Sequence, residues 1–187
     1  PDMPARKTAE MSPDEASALH DAYATAIDHA NAAAAKGRQH DWMWHLNLYL
    51  EEFGMSPLHL WERPGPVLGR LTSKPLQPVN SGPLVSVIMV ACNAEDTVGY
   101  AVNSILHQTW RSLELVIVDD ASVDRTWLLL TEFSKHDDRI KLVRNSVQVG
   151  PYVSRNRVLS GLAGTYVTTQ DADDWSLPGR LEKQVRN

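Results

Sequence analysis

From residue 84 onward the chain alternates apolar, strand-like runs with helix-like segments, and this alternation restricts the fold more than any other feature of the sequence. Residues 84–90 form a nearly continuous run rich in β-branched side chains, as expected of a strand covered on both faces. Strands are also predicted over 113–118, 140–144 and 165–169, and helices over 95–108, 124–134, 153–162 and 177–185. This order specifies a doubly wound, mainly parallel, Rossmann-like α/β sheet with right-handed crossovers. Ligands of such sheets bind beyond the carboxyl ends of the strands.

Two helices are predicted ahead of this region, over residues 12–37 and 41–54. Ser12 before Pro13 and two acids is a typical helix start, and a glycine marks each predicted end. Residues 62–83 are rich in proline and glycine without sustained periodicity, which predicts a linker or a strap over a surface.

We therefore expect three parts: an α-helical hairpin extension in residues 1–61, a linker in 62–83 and an α/β domain in 84–187. Because the last predicted helix is cut short at Asn187, we expect the α/β domain to be truncated on its C-terminal side.

The composition argues against several classes of protein. The formal net charge is −5 and the 18 basic residues are scattered, so no nucleic-acid partner is expected. The longest apolar stretch is far shorter than the ~20 residues of a membrane-spanning helix. The first strand is not followed by G-x-G-x-x-G, and no P-loop motif occurs, which argues against a dinucleotide oxidoreductase and a P-loop ATPase. We expect a cytoplasmic chain, and a longer protein could still be attached to the inner face of a membrane.

Three carboxylates follow the last predicted strand within four residues, at Asp171, Asp173 and Asp174. A cation would relieve their mutual repulsion, and carboxylate oxygens suit Mg²⁺ or Mn²⁺. Such an ion could bind the two phosphates of a nucleotide sugar and stabilise the charge on a leaving diphosphate. The alternative is an acidic turn that caps a helix and binds nothing.

Two further acids, Asp119 and Asp120, follow the second predicted strand. One could accept hydrogen bonds from a base or a ribose, while its neighbour could simply cap the following helix. Arg155 and Arg157 lie near the start of the third helix of the α/β region, where an arginine suits a diphosphate. Alternatively, one arginine pairs with the acids of the loop and the other is solvated.

Taken together and in this order, these motifs resemble the amino-terminal half of family 2 glycosyltransferases. The resemblance covers residues 84–187. It rests on the segments VSVIMVACN (85–93), SILHQTW (104–110), ELVIVDDAS (114–122), SRN (154–156) and DADDW (171–175), followed by Pro178, Arg180 and Leu181.

The resemblance implies a nucleotide-diphospho-sugar transferase fold of the A type and an inverting transfer from a nucleoside-diphosphate sugar, with a UDP-sugar favoured. It implies synthesis of a glycan or polysaccharide on an unknown glycan, lipid-linked or protein acceptor. The implied nucleotide contacts are Ala91, Cys92, Asn93, Glu95, Asp119, Asp120, Arg155, Asp171 and Ala172, and the implied ligands of Mn²⁺ or Mg²⁺ are Asp171, Asp173 and Asp174.

Two departures from the family pattern matter. The family commonly has a proline and a tyrosine where this chain has Val90 and Cys92, which implies weaker or different stacking on the base. The family's catalytic base lies well beyond the metal motif, so the general base is expected beyond Asn187. The fragment itself is therefore expected to bind donor at best, without transferring sugar.

Two alternative functions compete with sugar transfer. In one, the chain is a non-catalytic binding module whose helical hairpin docks a partner while the sheet serves as scaffold. In the other, the chain transfers nucleotides to sugar phosphates, which requires a glycine-rich, basic loop after the first strand. Residues 91–97 are acidic and contain no glycine, which argues against nucleotidyl transfer.

Overall fold

The computed structural model describes the backbone of residues 13–187 and the side chains of residue 21 and residues 24–187. Over this range the chain forms two compact units, one that ends at Pro75 and one that comprises Leu76–Asn187. The predicted helix cap at Ser12 lies outside the described residues. None of the helices described is long and apolar enough to cross a membrane.

The first unit begins with two helices, α1 (Pro13–Ala35) and α2 (Gln39–Glu52), which pack against each other as the predicted hairpin. Gly37 makes the turn between them with φ 67°, a conformation in which glycine commonly ends helices. Ala33 of α1 and Leu50 of α2 are buried. The predicted helical extension ahead of the α/β sheet is therefore confirmed.

A small antiparallel sheet completes the first unit, built from β1 (Leu58–Leu60), a helical turn α3 (Val67–Arg70) and β2 (Leu71–Ser73). Asn47 of α2 fixes β1, because its side chain donates to the Leu58 carbonyl at 2.8 Å and accepts from the Leu58 amide at 2.7 Å. The segment 62–83, predicted as an irregular linker, thus contains a helical turn and a strand. Both are too short to produce a periodic sequence pattern.

The second unit is a four-stranded parallel sheet with strand order β5-β4-β3-β6. Its elements in chain order are β3 (Val85–Ala91), α4 (Val98–Leu106), β4 (Leu113–Asp119), α5 (Thr126–His136), β5 (Ile140–Arg144), α6 (Pro151–Leu159), β6 (Tyr166–Asp171) and α7 (Arg180–Arg186). The predicted doubly wound α/β sheet is confirmed.

Alternate residues of the two central strands, β3 and β4, supply two separate cores. On one face Val87, Met89 and Ile117 pack with buried residues of α4, α5 and α7. On the other face Ile88 packs with Val158 of α6. Because both faces are covered, the two strands are nearly continuous apolar runs in the sequence, interrupted by Ser86 in β3 and Glu114 in β4.

The strand register brings the carboxyl ends of the sheet together. Ala91 pairs with Asp119, Asp119 pairs with Arg144, and Val90 pairs with Asp171. The loops that follow these strands therefore leave the sheet side by side at one edge, where ligands of parallel sheets bind.

Two helices of the second unit begin three residues later than the sequence predicts. The helix expected from residue 95 begins at Val98, after a turn over 95–97 in which the Glu95 amide donates to the carboxylate of Asp124 in the next loop. The helix expected from residue 177 begins at Arg180. Residue 177 precedes Pro178, and a residue before proline is pushed out of the helical conformation.

Candidate functional site

The loops after β3 and β4 are joined by reciprocal hydrogen bonds. The Asn93 amide donates to Ser122 Oγ at 3.0 Å, and the Val123 amide donates to Asn93 Oδ1 at 2.9 Å. Asn93 and Ala121 both have a positive φ, 50° and 59°, so the chain turns sharply in each loop. These contacts hold the backbone after Ala91 in a defined conformation at the edge of the sheet.

Glu95 and Asp124 complete this junction. Glu95 Oε2 accepts hydrogen bonds from both the amide and Nε of Arg125, at 2.9 and 3.1 Å. Burial raises the pKa of Asp124, but hydrogen bonds from Thr126 and from the Glu95 amide outweigh it and hold the pKa below its usual value. The Glu95 carboxylate, predicted near a base pocket, is therefore engaged by Arg125.

Asp120 is 2% exposed, and its carboxylate ties β4 to the loop before α6. It accepts hydrogen bonds from Asn145 Nδ2 at 2.7 Å, the Val149 amide at 3.0 Å and the Gly150 amide at 2.8 Å. Burial raises the pKa of Asp120, but these hydrogen bonds outweigh it and the pKa is lowered. Asp120 does not cap α5, since its carboxylate is bound to the loop at 145–150.

Asp119 is fully buried, and Arg144 Nε lies 3.0 Å from its Oδ2. Yet neither carboxylate oxygen of Asp119 has a hydrogen bond of acceptable geometry to any of the described residues. The contact is therefore an ion pair held by opposite charge without an aligned N–H. Arg144 also stacks on Trp127, with 5.1 Å to the ring centroid, and donates to the Ser122 carbonyl at 3.0 Å. A ligand could reach Asp119 only if these side chains moved.

Cys92 directly follows β3 and is half-buried. Burial raises the pKa of its thiol, and the negative charges of Asp120, Asp119 and Asp124 raise it further. The thiol is accordingly neutral at physiological pH.

The acidic loop, residues 171–174, continues from β6 at the same edge. The side chain of Asp171 is 58% exposed, and its Oδ1 accepts a hydrogen bond from Arg155 Nη2 of α6 at 2.8 Å. Ala172 is buried, while Asp173 and Asp174 are exposed. Burial raises the pKa of Asp174, as do the charges of Asp173 and Asp171, and Arg180 offsets part of this increase.

The sequence left open whether the acidic loop binds a cation or caps a helix, and the structure answers the question about the cap. Helix α7 begins six residues after Asp174, and the side chain that accepts from one of its first amides is Gln108, whose Oε1 lies 3.0 Å from the Leu181 amide. The acidic loop is therefore not a helix cap. Arg155 pairs with Asp171, whereas Arg157 donates to Asn145 Oδ1 at 2.5 Å. One arginine thus contacts the acidic loop, and the other supports the residue that holds Asp120.

The carboxylates of the acidic loop can supply only some of the ligands that a divalent cation requires. Within residues 13–187 no cluster of three or more acids, histidines or cysteines is arranged to hold a metal ion by itself. Asp171 and Asp173 are nevertheless both exposed, on either side of the buried Ala172. Mg²⁺ is commonly bound by one or two carboxylates together with substrate phosphates. The loop therefore suits a cation that takes its other ligands from a bound diphosphate.

Sequence reasoning missed Arg144 and Asn145, the two residues at the end of β5 that contact Asp119 and Asp120. The rule that polar residues gather at the carboxyl ends of parallel strands would have found them, because the β5 boundary itself was predicted at residue 144.

Comparisons with known proteins identify a family for the region that forms most of the second unit. A family model described as glycosyl transferase family 2 matches residues 86–187. A Bacillus subtilis protein named as a glycosyltransferase, EpsE, is 45% identical over 108 residues, which are 57% of this chain and 39% of the relative. The Escherichia coli UDP-Glc:alpha-D-GlcNAc-diphosphoundecaprenol beta-1,3-glucosyltransferase WfgD is 39% identical over 102 residues, 54% of this chain and 40% of WfgD.

Among solved structures, S. aureus TarS 1-349 in complex with UDP-GlcNAc is similar with a TM-score of 0.51 and 28% identity, over 55% of this chain and 30% of that one. The chain spans only about two fifths of the length of these two relatives, 39% of EpsE and 40% of WfgD.

Proposed function

Because this chain belongs to glycosyl transferase family 2, we propose that its second unit binds a nucleoside-diphosphate sugar, with a UDP-sugar favoured. We further propose that the whole protein transfers this sugar, with inversion, to an acceptor in glycan or polysaccharide synthesis. The name of WfgD specifies a UDP-glucose donor, and TarS was crystallised with UDP-GlcNAc, which supports UDP as the nucleotide.

The observation that carries the proposal is the contact of Arg155 Nη2 with Asp171 Oδ1 at 2.8 Å. A donor diphosphate requires positive charge, and a divalent cation bound to that diphosphate requires carboxylates. The contact places the arginine from α6 and the acid from β6 at one point on the carboxyl edge of the sheet. A cation and a diphosphate would meet at that point.

The remaining residues have separate parts in this proposal. The backbone of Ala91, Cys92 and Asn93 and the carboxylate of Asp120, beside Asp119, form the side of the site that takes the base. Asp171 and Asp173, with Asp174 next to them, would hold Mn²⁺ or Mg²⁺, and Ala172 anchors their loop. When bound, the cation neutralises charge that develops on the leaving diphosphate.

The proposal assigns the chain a binding step and leaves proton transfer to another part of the protein. A carboxylate that deprotonates the acceptor hydroxyl is expected beyond Asn187, so residues 1–187 are proposed to bind donor without transferring sugar.

Calorimetric titration with UDP and GDP, with and without Mn²⁺, tests the proposal. We expect UDP to bind in the presence of Mn²⁺, and Asp173→Asn to abolish metal-dependent binding while leaving the unfolding transition in place, because Asp173 is exposed. Asp138→Asn, which makes the same chemical change at another exposed position, is the matched control and should bind as the parent does.

Two results would contradict the proposal. Equal UDP affinity in the parent and Asp173→Asn would remove the metal assignment. Failure of the parent and of a longer protein to bind any nucleotide, together with a partner lost on removal of residues 1–60, would favour the non-catalytic binding module.

A further inference from the structure

The Arg155–Asp171 contact has a consequence for how a cation and a nucleotide bind together. We propose that Arg155 is a positioning residue with two alternative partners: it pairs with Asp171 when the site is empty and with the donor diphosphate when donor and cation are bound. This inference rests on the proposed donor site and concerns the order and coupling of binding there.

Asp171 already has a partner in the absence of ligand. Its Oδ1 accepts the 2.8 Å hydrogen bond from Arg155 Nη2, and the Arg155 side chain is only 25% exposed. A cation that approaches Asp171 alone therefore meets a guanidinium already on one carboxylate oxygen. Breaking an ion pair and placing a second positive charge beside the first both oppose binding of the cation.

Arg155 has hydrogen-bonding capacity that its contact with Asp171 leaves unused. Its Nε is buried and has no hydrogen-bond partner in the part of the chain that the structure describes. The guanidinium stacks loosely on Tyr152, with 5.9 Å to the ring centroid, and Tyr152 is 77% exposed. A buried donor without an acceptor is unfavourable, so the pairing with Asp171 leaves the guanidinium incompletely satisfied.

A diphosphate is a better partner for this guanidinium than one carboxylate. Arginine presents a planar fork of donors, and phosphate oxygens can accept two of them in parallel. Transfer of Arg155 to the diphosphate would also free Asp171 Oδ1 for the cation. Both ligands thus favour the same rearrangement.

Two ligands that favour the same rearrangement must bind cooperatively, and the coupling is reciprocal. Nucleotide should strengthen binding of the cation, and the cation should strengthen binding of nucleotide, beyond their direct contact. Replacing Arg155 removes the arginine-dependent part of this coupling.

Calorimetric titration of the whole chain with Mn²⁺ alone, with UDP alone and with UDP at saturating Mn²⁺ measures the coupling. For Arg155→Gln we expect Mn²⁺ alone to bind roughly 2- to 5-fold more tightly, since an ion pair at a partly exposed position is lost. We expect UDP affinity in Mn²⁺ to fall about 10- to 100-fold, as for loss of a hydrogen bond to a charged group. Arg155→Lys, which keeps the charge without the fork, should lie between parent and Arg155→Gln in both titrations.

Arg157→Gln is the matched control for the Mn²⁺ titration. It removes the same charge two residues along α6, from a side chain that contacts Arg144 and Asn145 instead of the acidic loop. Mn²⁺ affinity should change less than in Arg155→Gln; an equal change in both variants would mean that only the general electrostatic field was altered, and the inference would be wrong.

A spectroscopic measurement separates the exchange of partners from a purely structural role. In the parent, the Nε–H resonance of Arg155 should shift when UDP and the diamagnetic Mg²⁺ are added together, with little shift for Mg²⁺ alone. If the parent binds UDP with metal while this resonance and the Mn²⁺ affinity of Arg155→Gln stay unchanged, the exchange is wrong and the proposed function stands. If the parent and a longer protein bind neither ligand, both proposals are wrong.

Discussion

Replacing Asp120 with asparagine tests whether this acid acts first as an internal anchor. The Asp120 carboxylate accepts three hydrogen bonds, two at Oδ1 and one at Oδ2. In Asp120→Asn an NH₂ group takes the place of one oxygen. If the amide oxygen keeps the two contacts at Oδ1, the new NH₂ group faces the Gly150 amide, donor against donor.

The free-energy cost follows from these contacts. One buried amide loses its acceptor, which costs about 1–3 kcal/mol, and the two hydrogen bonds that persist lose their charge assistance, worth roughly 1 kcal/mol each. With some relaxation of the 145–150 loop, we expect Asp120→Asn to lower the free energy of unfolding by about 2–4 kcal/mol at pH 7.

The effect should depend on pH in a defined direction. Because the folded protein lowers the pKa of Asp120, its stabilising contribution is present above the unfolded pKa of about 3.9 and is lost as pH falls through the folded value. The stability difference between parent and Asp120→Asn should therefore be constant near neutral pH and shrink below about pH 4.

Urea unfolding followed by circular dichroism measures the difference, and hydrogen exchange of the Val149 and Gly150 amides reports on the anchor directly. We expect both amides to exchange faster in Asp120→Asn, and Asp138→Asn to unfold as the parent does. An unchanged urea midpoint with unchanged protection of both amides would refute the argument and leave Asp120 as a ligand-binding acid without a structural part.

Two backbone predictions concern single positions in the second unit. Ala121 has φ 59°, a left-handed conformation that costs an alanine about 1–2 kcal/mol. Glycine gives the unfolded chain extra freedom, which offsets part of the gain, so Ala121→Gly should raise the free energy of unfolding by about 0.5–1 kcal/mol. An unchanged or lower urea midpoint would contradict this. A Cβ on Gly164 would lie 2.5 Å from the amide nitrogen and Oγ of Ser86, so Gly164→Ala should destabilise by about 2–3 kcal/mol. The control Gly161→Ala meets its nearest atom, the Val158 carbonyl, at 3.6 Å, and equal losses in the two variants would disprove the steric explanation.

The sheet could be predicted from the sequence because burial on both faces leaves a direct mark on it. Ile88 faces one core and Met89 the other, so apolar residues are favoured at both positions and residues 87–91 form an unbroken apolar run. The prediction of a strand at 140–144 is also correct at both ends, although β5 lies at the edge of the sheet and is buried only in part. The short elements of the first unit, such as β2, carry no comparable mark, since three residues show no period.

The partners of the polar side chains could not be predicted in the same way. Composition and order placed Glu95, Asp119 and Asp120 near one edge, but the partner of each depends on which loops become neighbours. Glu95 meets Arg125, thirty residues away, only because β3 and β4 pair in register. The resemblance to a family identified positions at this edge, whereas the hydrogen bonds that satisfy them follow from tertiary structure.

The carboxyl edge of the sheet is built in two different ways, and the difference decides where a ligand can have an effect. At Asp120 and the joined loops after β3 and β4, acids and amides already satisfy one another, so little ordering is left for a ligand to cause. In the acidic loop, repulsion among Asp171, Asp173 and Asp174 is offset only in part by Arg155 and Arg180. A cation and a diphosphate would each relieve some of that repulsion. We therefore expect substitutions at Asp120 to appear mainly as changes in stability, and substitutions in the acidic loop to appear mainly as changes in binding.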